Sequence, residues 1–341
     1  MDGFQHKPRR VALLVNTTNG QYEVPVNAPP DLLAEVDAAK YINAYEAGIR
    51  AAGCEPVVHE GIPNLEVIGW LRQVRPQLCF NVCEGFGGES REAHMPALLE
   101  ALGLPYSGPG PLAAAVTQDK PTTKRLLKAA GLPTPQFEVY DSVEAALDCR
   151  LSFPLFVKPS HEGTGMGVQN ESVVKCPEQL GRQVERILRH YRQPALVESF
   201  IEGRELTCGV VGNNGDLQVL PVLEVDFGGY PPDLFPVYSS KHKNDFDHLF
   251  RYRCPAPLSE AQTEEIKRLT VGTFEATGCR DYGRVDFRLT PEGELYILEI
   301  NALPGITPRS DMTMMAKALG LTHEQLVAAV LKAALKRCRL Q

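Results

Sequence analysis

The residues best suited to chemistry form two short polar patterns near the C-terminus, Arg284-x-Asp286 and Glu299-x-Asn301. Side chains alternate between the two faces of a β-strand, so the two members of each pattern lie on the same face. The segment PEGE at 291–294 has the composition of a turn and predicts that the two strands form a hairpin. A turn centred in this segment sets Asp286 opposite Glu299 and Arg284 opposite Asn301, which brings all four side chains to one face.

This polar face of the predicted hairpin could bind a divalent cation. Two directly opposed carboxylates, with Cβ atoms roughly 5 Å apart, repel each other and raise each other's pKa unless a cation lies between them. Oxygen atoms of Asp, Glu and Asn suit magnesium, which takes one or two carboxylates and fills its other positions with water and phosphate oxygens. The alternative is the solvated outer face of a hairpin with incidental charges. The opposite face is predicted to be core and holds Val285, Phe287, Leu289, Tyr296, Leu298 and Ile300.

A lysine and a glycine-rich loop in the middle of the chain could bind phosphate. Lys158 ends a predicted strand and is followed by HEGTGMG at 161–167. Glycine lets backbone N–H groups wrap around a phosphate, and a lysine at the entry to the loop supplies positive charge. The loop lacks the spacing of a Walker phosphate loop and the helix of a dinucleotide-binding fingerprint. A plain glycine hairpin is therefore the alternative.

Two further loops carry charged residues whose patterns leave their roles open. Glu198 and Glu205 flank a turn around SFI at 199–201, where they could hold a ribose and an adenine or lie at an exposed loop edge. The segment 228–257 is rich in aromatic residues and proline and is too long for a simple connection, which is typical of a lid. Near its middle lie the basic residues Lys241, His242 and Lys243. These three could cover an anion or form a solvated cluster.

The elements that must position these residues alternate between strand and helix at the N-terminus. The strands are predicted at 9–16, 55–60 and 77–85, and the helices at 31–53 and 64–74. This alternation predicts an open parallel sheet. Ligands bind beyond the carboxyl ends of the strands in such sheets, and CEGFGGESRE at 83–92 falls there.

Helical patterns continue to the predicted boundary of the first domain. They lie at 91–103 and at 111–131, the second broken at Pro121, and Lys120 stands at the junction. Three units are predicted: an N-terminal open parallel-sheet domain (1–119), a central subdomain with the glycine-rich loop (120–207) and a C-terminal subdomain with the lid and the metal hairpin (208–341).

Composition excludes several classes of protein. The 341 residues are 43% hydrophobic and 23% charged, as in a globular protein of two or three domains. A net charge of -7 argues against a nucleic-acid binder or a membrane-surface protein. The nine cysteines are scattered and predict reduced thiols. Because the chain shows no apolar run typical of a signal peptide or a membrane span, we expect it in the cytoplasm.

The order of these motifs resembles the ATP-grasp superfamily and, within it, the D-alanine–D-alanine ligases. The resemblance extends from about residue 83 to the C-terminus. It is carried by LPYSGPG, DKPTTKRLLKAAGLPTP, FVKPSHEGTGMG, VESFIEGREL, YGRVDF and LEINALPGITPRS. The fold implied is α/β, with an N-terminal open parallel sheet followed by a two-subdomain ATP-grasp part of α+β type.

The resemblance also implies that the site binds ATP and two magnesium ions. The implied nucleotide-binding residues are Lys120 and Lys158 on the phosphates, Glu162, Gly163, Gly165 and Gly167 in the loop over them, Glu198 on the adenine amino group, Phe200 and Ile201 through their backbone on the ring, and Glu205 on the ribose. The implied magnesium ligands are Asp286, Glu299 and Asn301, with Glu299 bridging the two ions.

The implied reaction joins two small molecules. A carboxylate attacks the γ-phosphate of ATP to give an acylphosphate and ADP, and an amine then displaces the phosphate. The implied catalytic residues are Lys241 at the γ-phosphate and Arg284 at the developing oxyanion, together with Thr164 and Gly305, while Ser310 binds the carboxylate of the second substrate. The lid would exclude water from the acylphosphate. The resemblance further implies a homodimer.

The substrate end departs from the family pattern. Glu84, followed by glycine, stands where dipeptide ligases carry His-Gly, and Thr164 stands where they carry serine. The glutamate that usually holds the first ammonium has no clean counterpart, although Glu23 or Glu35 could replace it. His242 takes the place of a tyrosine, and a cationic ring there favours a hydroxy acid over an amine. Glu84 and His242 are therefore the predicted substrate-binding residues.

Several functions stay open at this point. The main prediction is an ATP-dependent carboxylate–amine ligase with unassigned substrates. The alternatives are an authentic D-alanine–D-alanine ligase of cell-wall synthesis, a depsipeptide-forming or biosynthetic ligase that joins or cyclises an unusual amino acid, and a nucleotide-binding regulator without catalysis.

Overall fold

The computed structural model describes residues 9–16, 28–29, 31, 41–60, 64–229 and 251–340. Of the residues singled out above, Lys241, His242, Lys243, Glu23 and Glu35 lie outside the described residues. The strands are β1 (Arg9–Val15), β2 (Cys54–Glu60), β3 (Leu78–Val82), β4 (Phe137–Tyr140), β5 (Leu155–Pro159), β6 (Val173–Val174), β7 (Ala195–Ser199), β8 (Arg204–Gly212), β9 (Gln218–Val219), β10 (Leu223–Asp226), β11 (Arg251–Arg253), β12 (Asp281–Leu289) and β13 (Leu295–Asn301). The helices are α1 (Ile42–Ala51), α2 (Leu65–Val74), α3 (Arg91–Ala101), α4 (Pro111–Gln118), α5 (Lys120–Ala129), α6 (Val143–Ala146), α7 (Pro177–Tyr191), α8 (Glu260–Ala276), α9 (Asp311–Ala318) and α10 (His323–Arg337).

The N-terminal strands form the predicted parallel sheet. β1 lies between β2 and β3 and pairs with both in parallel. Residues 11–15 of β1 and all of β3 are buried, as expected for central strands that are covered on both faces. The chain leaves β3 at its carboxyl end, and this exit places Glu84 at the wall of a cleft.

The long helix predicted at 111–131 is two helices. The break lies at Asp119, whose carboxylate accepts a hydrogen bond from the N–H of Thr122 at 2.6 Å and caps the start of α5. Pro121 lies in the first turn of α5, where a missing N–H removes no intrahelical hydrogen bond. The helix therefore begins at Lys120, beside the cleft.

The central sheet carries the predicted phosphate lysine. Its four antiparallel strands have the order β4-β7-β5-β6. The register sets Lys158 opposite Leu196 and Glu198 opposite Phe156, so all four side chains share one face. The alternate residues of β5 and β7 are fully buried in a core against α7.

The C-terminal sheet contains the predicted hairpin. Its main strand order is β11-β10-β8-β12-β13, and β9 pairs with β8. The register pairs Asp286 with Glu299 and Arg284 with Asn301. The predicted opposition of these residues is thereby confirmed.

A β-bulge follows these pairs and corrects the predicted core face. Phe287 pairs with Ile297 rather than with Leu298, which shifts the register by one residue. Ile297 is fully buried, whereas Leu298 lines the cleft and Tyr296 is half-buried. The prediction that Tyr296 and Leu298 belong to the core was wrong, because one extra residue in a strand reverses the facing of the residues beyond it.

The loop before β4 lies along the open edge of the sheet and is hydrogen-bonded to this bulge. The N–H of Ile297 donates to the carbonyl oxygen of Pro133 at 2.8 Å. The Thr134 hydroxyl donates to the Ile297 carbonyl oxygen, also at 2.8 Å. Both backbone groups of Ile297 are thus bonded to the loop, which stabilises the shifted register.

The largest core joins the N-terminal sheet to the C-terminal helices. Gly48 of α1 packs so closely on α10 that an added Cβ atom would lie 2.4 Å from the Cβ of Val327.

The predicted domain boundaries near 119 and 207 stay predictions. All nine cysteines fall within the described residues and are free thiols. Across the described ranges, no helix combines the length and apolar character needed to cross a membrane.

Candidate active site

One cleft gathers most of the residues predicted to do chemistry. It lies among the turn after β3, the start of α5, the central sheet and the polar face of the β12–β13 hairpin, and it holds about 1620 Å³ of space, open solvent included. The predicted site residues that line it are Glu84, Lys120, Lys158, Glu162, Gly163, Thr164, Gly165, Glu198, Phe200, Ile201, Glu205, Arg284, Asp286, Glu299, Asn301 and Gly305. Their individual roles stay predictions.

Asp286, one of the two carboxylates of the polar face, accepts four side-chain hydrogen bonds. Arg284 binds it through two nitrogens, Nε to Oδ1 and Nη2 to Oδ2, each at 2.9 Å. The Asn301 amide donates to Oδ2 at 2.9 Å, and the Thr207 hydroxyl donates to Oδ1 at 2.5 Å. Burial would lower the pKa of Arg284, but the charges of Asp286 and Asp311 outweigh it and raise that pKa above its usual value. Arg284 is therefore a permanent cation at the wall of the cleft.

The charges of the polar face are balanced by basic residues of the protein. Arg284 neutralises Asp286, and Lys120 Nζ lies 3.6 Å from Glu299 Oε2. The sequence argument named a divalent cation as the natural charge between the two carboxylates and did not consider that basic side chains supply positive charge there as well. It compared only the hairpin residues and omitted a lysine from α5, which comes from a distant part of the chain.

The polar face still offers ligands that fit magnesium. In the described part of the chain, no three histidine, cysteine or acidic side chains gather into a metal cluster. The face instead presents two opposed carboxylates, Asp286 and Glu299, and the amide of Asn301. Magnesium needs only one or two carboxylates when phosphate and water oxygens complete its shell, so this donor set is sufficient.

Glu198 lies between two lysines, an arrangement that the sequence did not predict. Its carboxylate is 3% exposed and pairs through Oε1 with Lys158 Nζ at 3.0 Å and through Oε2 with Lys124 Nζ at 2.8 Å. Burial would raise the pKa of Glu198, but the two ammonium groups outweigh it and lower that pKa. Burial lowers the pKa of Lys124 to about 8, while Glu198 and Glu299 outweigh burial at Lys158 and raise its pKa.

Glu205, the predicted ribose ligand, is oriented by a cross-strand arginine. Arg288 stands opposite it in the β8–β12 pair, and Nη2 lies 2.7 Å from Glu205 Oε2. The other end of the guanidinium donates to the Gly203 carbonyl oxygen at 2.9 Å. Arg288 is 5% exposed, so it holds Glu205 at the cleft wall in one direction.

Residues from three other segments fasten the glycine-rich loop. Arg91 Nη1 lies 3.2 Å from Glu162 Oε2 and donates to the His161 carbonyl oxygen at 2.9 Å. The Gln193 amide donates to Glu162 Oε1 at 2.7 Å, and the Lys120 ammonium donates to the Glu162 carbonyl oxygen. The entry to the loop is therefore fixed by α3, by α5 and by the segment before β7.

The far side of the same loop requires unusual backbone angles. Thr164 and Gly165 have φ values of 52° and 72°, and Gly167 has a φ of 75°. An added Cβ atom at Gly167 would lie 2.4 Å from Cγ of Pro159. The N–H of Gly167 donates to Asp31 Oδ2 at 2.8 Å. Glycine is required at 167 by both the angle and the close approach.

Among the predicted site residues that the structure describes, two do not line the cleft. Gly167 ends the loop and packs against Pro159 instead. Ser310 caps α9, since its hydroxyl donates to the Thr307 carbonyl oxygen at 2.9 Å and accepts from the N–H of Thr313 at 3.4 Å. Its neighbour Asp311 lines the cleft instead.

Sequence reasoning missed several residues that shape the site. They are Lys124, Arg288, Thr207 and Arg91, and all four act on predicted site residues through side-chain contacts. Three had a usable signal: Lys124 follows Lys120 by one helical turn, Arg288 lies on the same strand and face as Arg284 and Asp286, and Thr207 lies on the same strand and face as Glu205. Arg91 had none, because it begins a helix that carries no other predicted site residue.

Sequence comparison identifies relatives along nearly the whole chain. A family profile described as the D-ala D-ala ligase C-terminus matches residues 126–332. D-alanine–D-alanine ligase B of Chromobacterium violaceum is 33% identical over 94% of this chain and 96% of its own length. D-alanine–D-alanine ligase of Aromatoleum aromaticum is 34% identical over 97% of both chains. The uncharacterised protein y4sG of Sinorhizobium fredii is 36% identical over 85% of this chain and 86% of its own.

Solved structures show the same fold at lower identity. D-alanine–D-alanine ligase from Bacillus anthracis complexed with ATP superposes with a TM-score of 0.70 at 20% identity, covering 97% of this chain and 99% of that one. VanG D-Ala:D-Ser ligase from Enterococcus faecalis gives a TM-score of 0.70 at 22% identity, covering 96% and 100%. The overall fold is thus shared from end to end.

Proposed function

The chain belongs to the D-alanine–D-alanine ligase family and is an ATP-dependent ligase that forms an amide bond, and we propose that it joins two small amino acids through an acylphosphate. This proposal rests mainly on one observation. Lysines suited to bind phosphate and side chains suited to bind magnesium line the same cleft. Lys120 and Lys158 line it together with Asp286 and Glu299, and Lys120 Nζ lies 3.6 Å from Glu299 Oε2. A polyphosphate bridged to magnesium has the charge pattern that such walls bind.

The chain's own residues would bind and orient the nucleotide. Lys120 and Lys158 would contact the phosphates, and the part of the loop that lines the cleft, 162–165, would cover them with backbone N–H groups. Glu205, held by Arg288, would accept hydrogen bonds from the ribose hydroxyls. Asp286, Glu299 and Asn301 would hold two magnesium ions. Bound there, the ions neutralise charge on the transferring phosphoryl group.

The proposed reaction has two steps. A substrate carboxylate oxygen attacks the γ-phosphorus, and the bond from that phosphorus to the ADP oxygen breaks, so that an acylphosphate and ADP form. The amine of the second substrate then attacks the acyl carbon, loses a proton, and expels inorganic phosphate. Arg284 lies at the cleft wall as a permanent cation and would stabilise the oxyanion of the second step.

Two D-alanines are the first candidate pair, after the names of the relatives. A different amino-acid pair is the second candidate, and it is favoured by Glu84. This carboxylate lines the cleft where the dipeptide ligases carry a histidine. A substrate with an additional amino group would gain an ion pair there, which a neutral histidine would not provide. A hydroxy-acid acceptor rests on His242, which lies outside the described residues.

Two further features belong to the same proposal. We place the reaction in the cytoplasm, because ATP is supplied there. We also propose a homodimer, as the family resemblance implies. Gel filtration combined with light scattering would give the mass in solution, and a monomer would contradict the dimer.

The decisive experiment is ADP release with magnesium and ATP across a panel of D- and L-amino acids, hydroxy acids and amines, with product masses recorded. A product of two D-alanines supports the first candidate, and turnover only with another pair supports the second. Glu299→Gln should abolish ADP release, and Glu292→Gln, an exposed carboxylate in the hairpin turn, is the matched control. Unchanged turnover of Glu299→Gln would refute the assignment of Glu299 to the magnesium site.

A further inference from the structure

Lys124 is buried at the back of the site and does not line the cleft. It lies on α5 one turn after Lys120 and is 1% exposed. Its ammonium lies 2.8 Å from Glu198 Oε2 and donates to the Thr134 hydroxyl at 2.9 Å. A ligand in the cleft could therefore not contact Lys124 directly.

Lys124, Glu198 and Lys158 form a buried triad of charges. The two carboxylate oxygens of Glu198 each take one ammonium group, so two cations share one anion. Lys158 lines the cleft, while Glu198 is 3% exposed and Lys124 less than that. With all three groups ionised, the triad carries a net charge of about +1 by simple charge counting.

Removal of Lys124 would change this balance. Glu198 would then neutralise Lys158 alone, and the pair would carry no net charge. Charges within the protein are screened much less than exposed ones, so the difference would be felt at the cleft surface. A polyanion facing Lys158 would meet a neutral ion pair instead of a cation.

We infer that Lys124 is a positioning residue that offsets the charge of Glu198, so that Lys158 keeps a net positive charge for the nucleotide phosphates. This inference rests on the proposed binding of ATP in the cleft. It assigns Glu198 mainly to the two lysines rather than to the adenine amino group. It also explains why a second lysine is buried without reaching the cleft, although burying an ammonium group is costly.

Lys124 also has a structural contact that the test must separate from its charge. Through Thr134 it is linked to the backbone of Ile297, at the bulge of β13. A variant at 124 could therefore alter the fold around the hairpin. Removing the charge of Glu198 at the same time distinguishes the two effects, because that second change restores the charge balance and not the contact.

The experiment measures the dissociation constant of MgATP by calorimetry, without amino-acid substrates, together with kcat and KM for ATP. Lys124→Met should raise the dissociation constant about tenfold or more, which corresponds to 1.4 kcal/mol. Its kcat at saturating ATP should stay near the wild-type value, and Lys124→Arg should retain most of the affinity. Lys128→Met, an exposed lysine one turn further along α5, is the matched control and should bind as the wild type does.

The double variant Lys124→Met with Glu198→Gln gives the sharpest outcome. It leaves Lys158 as the one charge of the triad, so it should recover most of the lost affinity. Affinity lower than that of Lys124→Met would overturn the inference and favour direct binding of adenine by Glu198. If Lys124→Met does not fold, the double variant is compared with Glu198→Gln alone and should bind more weakly, since the net charge falls.

Different results would refute the proposed function and the inference about Lys124. Wild-type protein that binds no MgATP would refute the proposed function itself. Wild-type binding with an unchanged dissociation constant in Lys124→Met would refute the inference alone. A fall in thermal stability without a change in affinity would likewise assign Lys124 a structural role only.

Discussion

Asp281→Asn should destabilise the whole chain, because Asp281 joins three distant segments. The carboxylate is fully buried and accepts four hydrogen bonds. Gly108 N–H donates to Oδ2 and the Asn213 amide to Oδ1, each at 2.9 Å. Arg337 of α10 donates through Nε to Oδ1 at 2.8 Å and through Nη2 to Oδ2 at 2.7 Å.

The cost of this substitution follows from the direction of the hydrogen bonds. Each oxygen of Asp281 faces two donors, so an amide nitrogen in place of either oxygen would face two donors and lose both bonds. Asparagine tolerates the left-handed backbone at this position, where φ is 68°, so strain is not added. Two lost bonds and an unpaired arginine that is partly open to water cost about 3 kcal/mol in the free energy of unfolding.

Urea titration followed by circular dichroism measures this loss. Asp216→Asn is the matched control, because its carboxylate pairs with Lys336 on the same helix α10 but both side chains are 59% exposed. The control should unfold close to the wild type, since exposed ion pairs contribute little. If Asp281→Asn unfolds at the same urea concentration as the control, the view that this carboxylate holds the three segments together is refuted.

Three further predictions concern the bulge, the loop and the junction helix. Ile297→Ala should lower the free energy of unfolding by about 2–5 kcal/mol. Leu298→Ala should lower it by less, because the bulge buries the side chain of Ile297 and not that of Leu298. Urea titration of both variants measures the two losses. Gly167→Ala should weaken MgATP binding in calorimetry, because φ is 75° and the new Cβ atom would lie 2.4 Å from the ring of the proline that ends β5. Burial opposes ionisation of Asp119, but the hydrogen bonds from His161 and Thr122 together outweigh it and lower the pKa of Asp119 from 3.8 to about 2. A depressed pKa stabilises the folded state above about pH 4, and this contribution is lost as the pH falls towards about 2, so Asp119→Asn should flatten the acid part of the stability profile measured by circular dichroism.

Each of these predictions has its own contrary result. Equal losses in the free energy of unfolding at 297 and 298 would contradict the bulge. A larger loss at 298 would support the register without a shift. Gly87→Ala is the control for the glycine loop, because no atom lies within 4 Å of its added Cβ. Affinity equal to that of this control would show that the loop accepts a side chain at 167. An unchanged acid profile would show that the Asp119 carboxylate gains nothing from its pairing.

The sequence alone determined the local arrangement of the hairpin and the character of the N-terminal sheet. Alternation with period two put Asp286 and Glu299 on one face, and the turn at 291–294 set them opposite each other. Alternating strands and helices likewise determined the parallel sheet of β1 to β3. Such patterns are readable because each depends on residues close together in the chain.

Only the tertiary structure decided which charges meet. The bulge at Ile297 depends on a loop before β4, and the lysines that hold Glu198 come from α5 and β5. No periodicity specifies these contacts, because long-range pairs form where packed elements happen to bring opposite charges together in a buried place. Burial then makes each pairing obligatory, since an unpaired charge there is costly. The residue types and motifs of the site could therefore be predicted, while the partners that orient them could not.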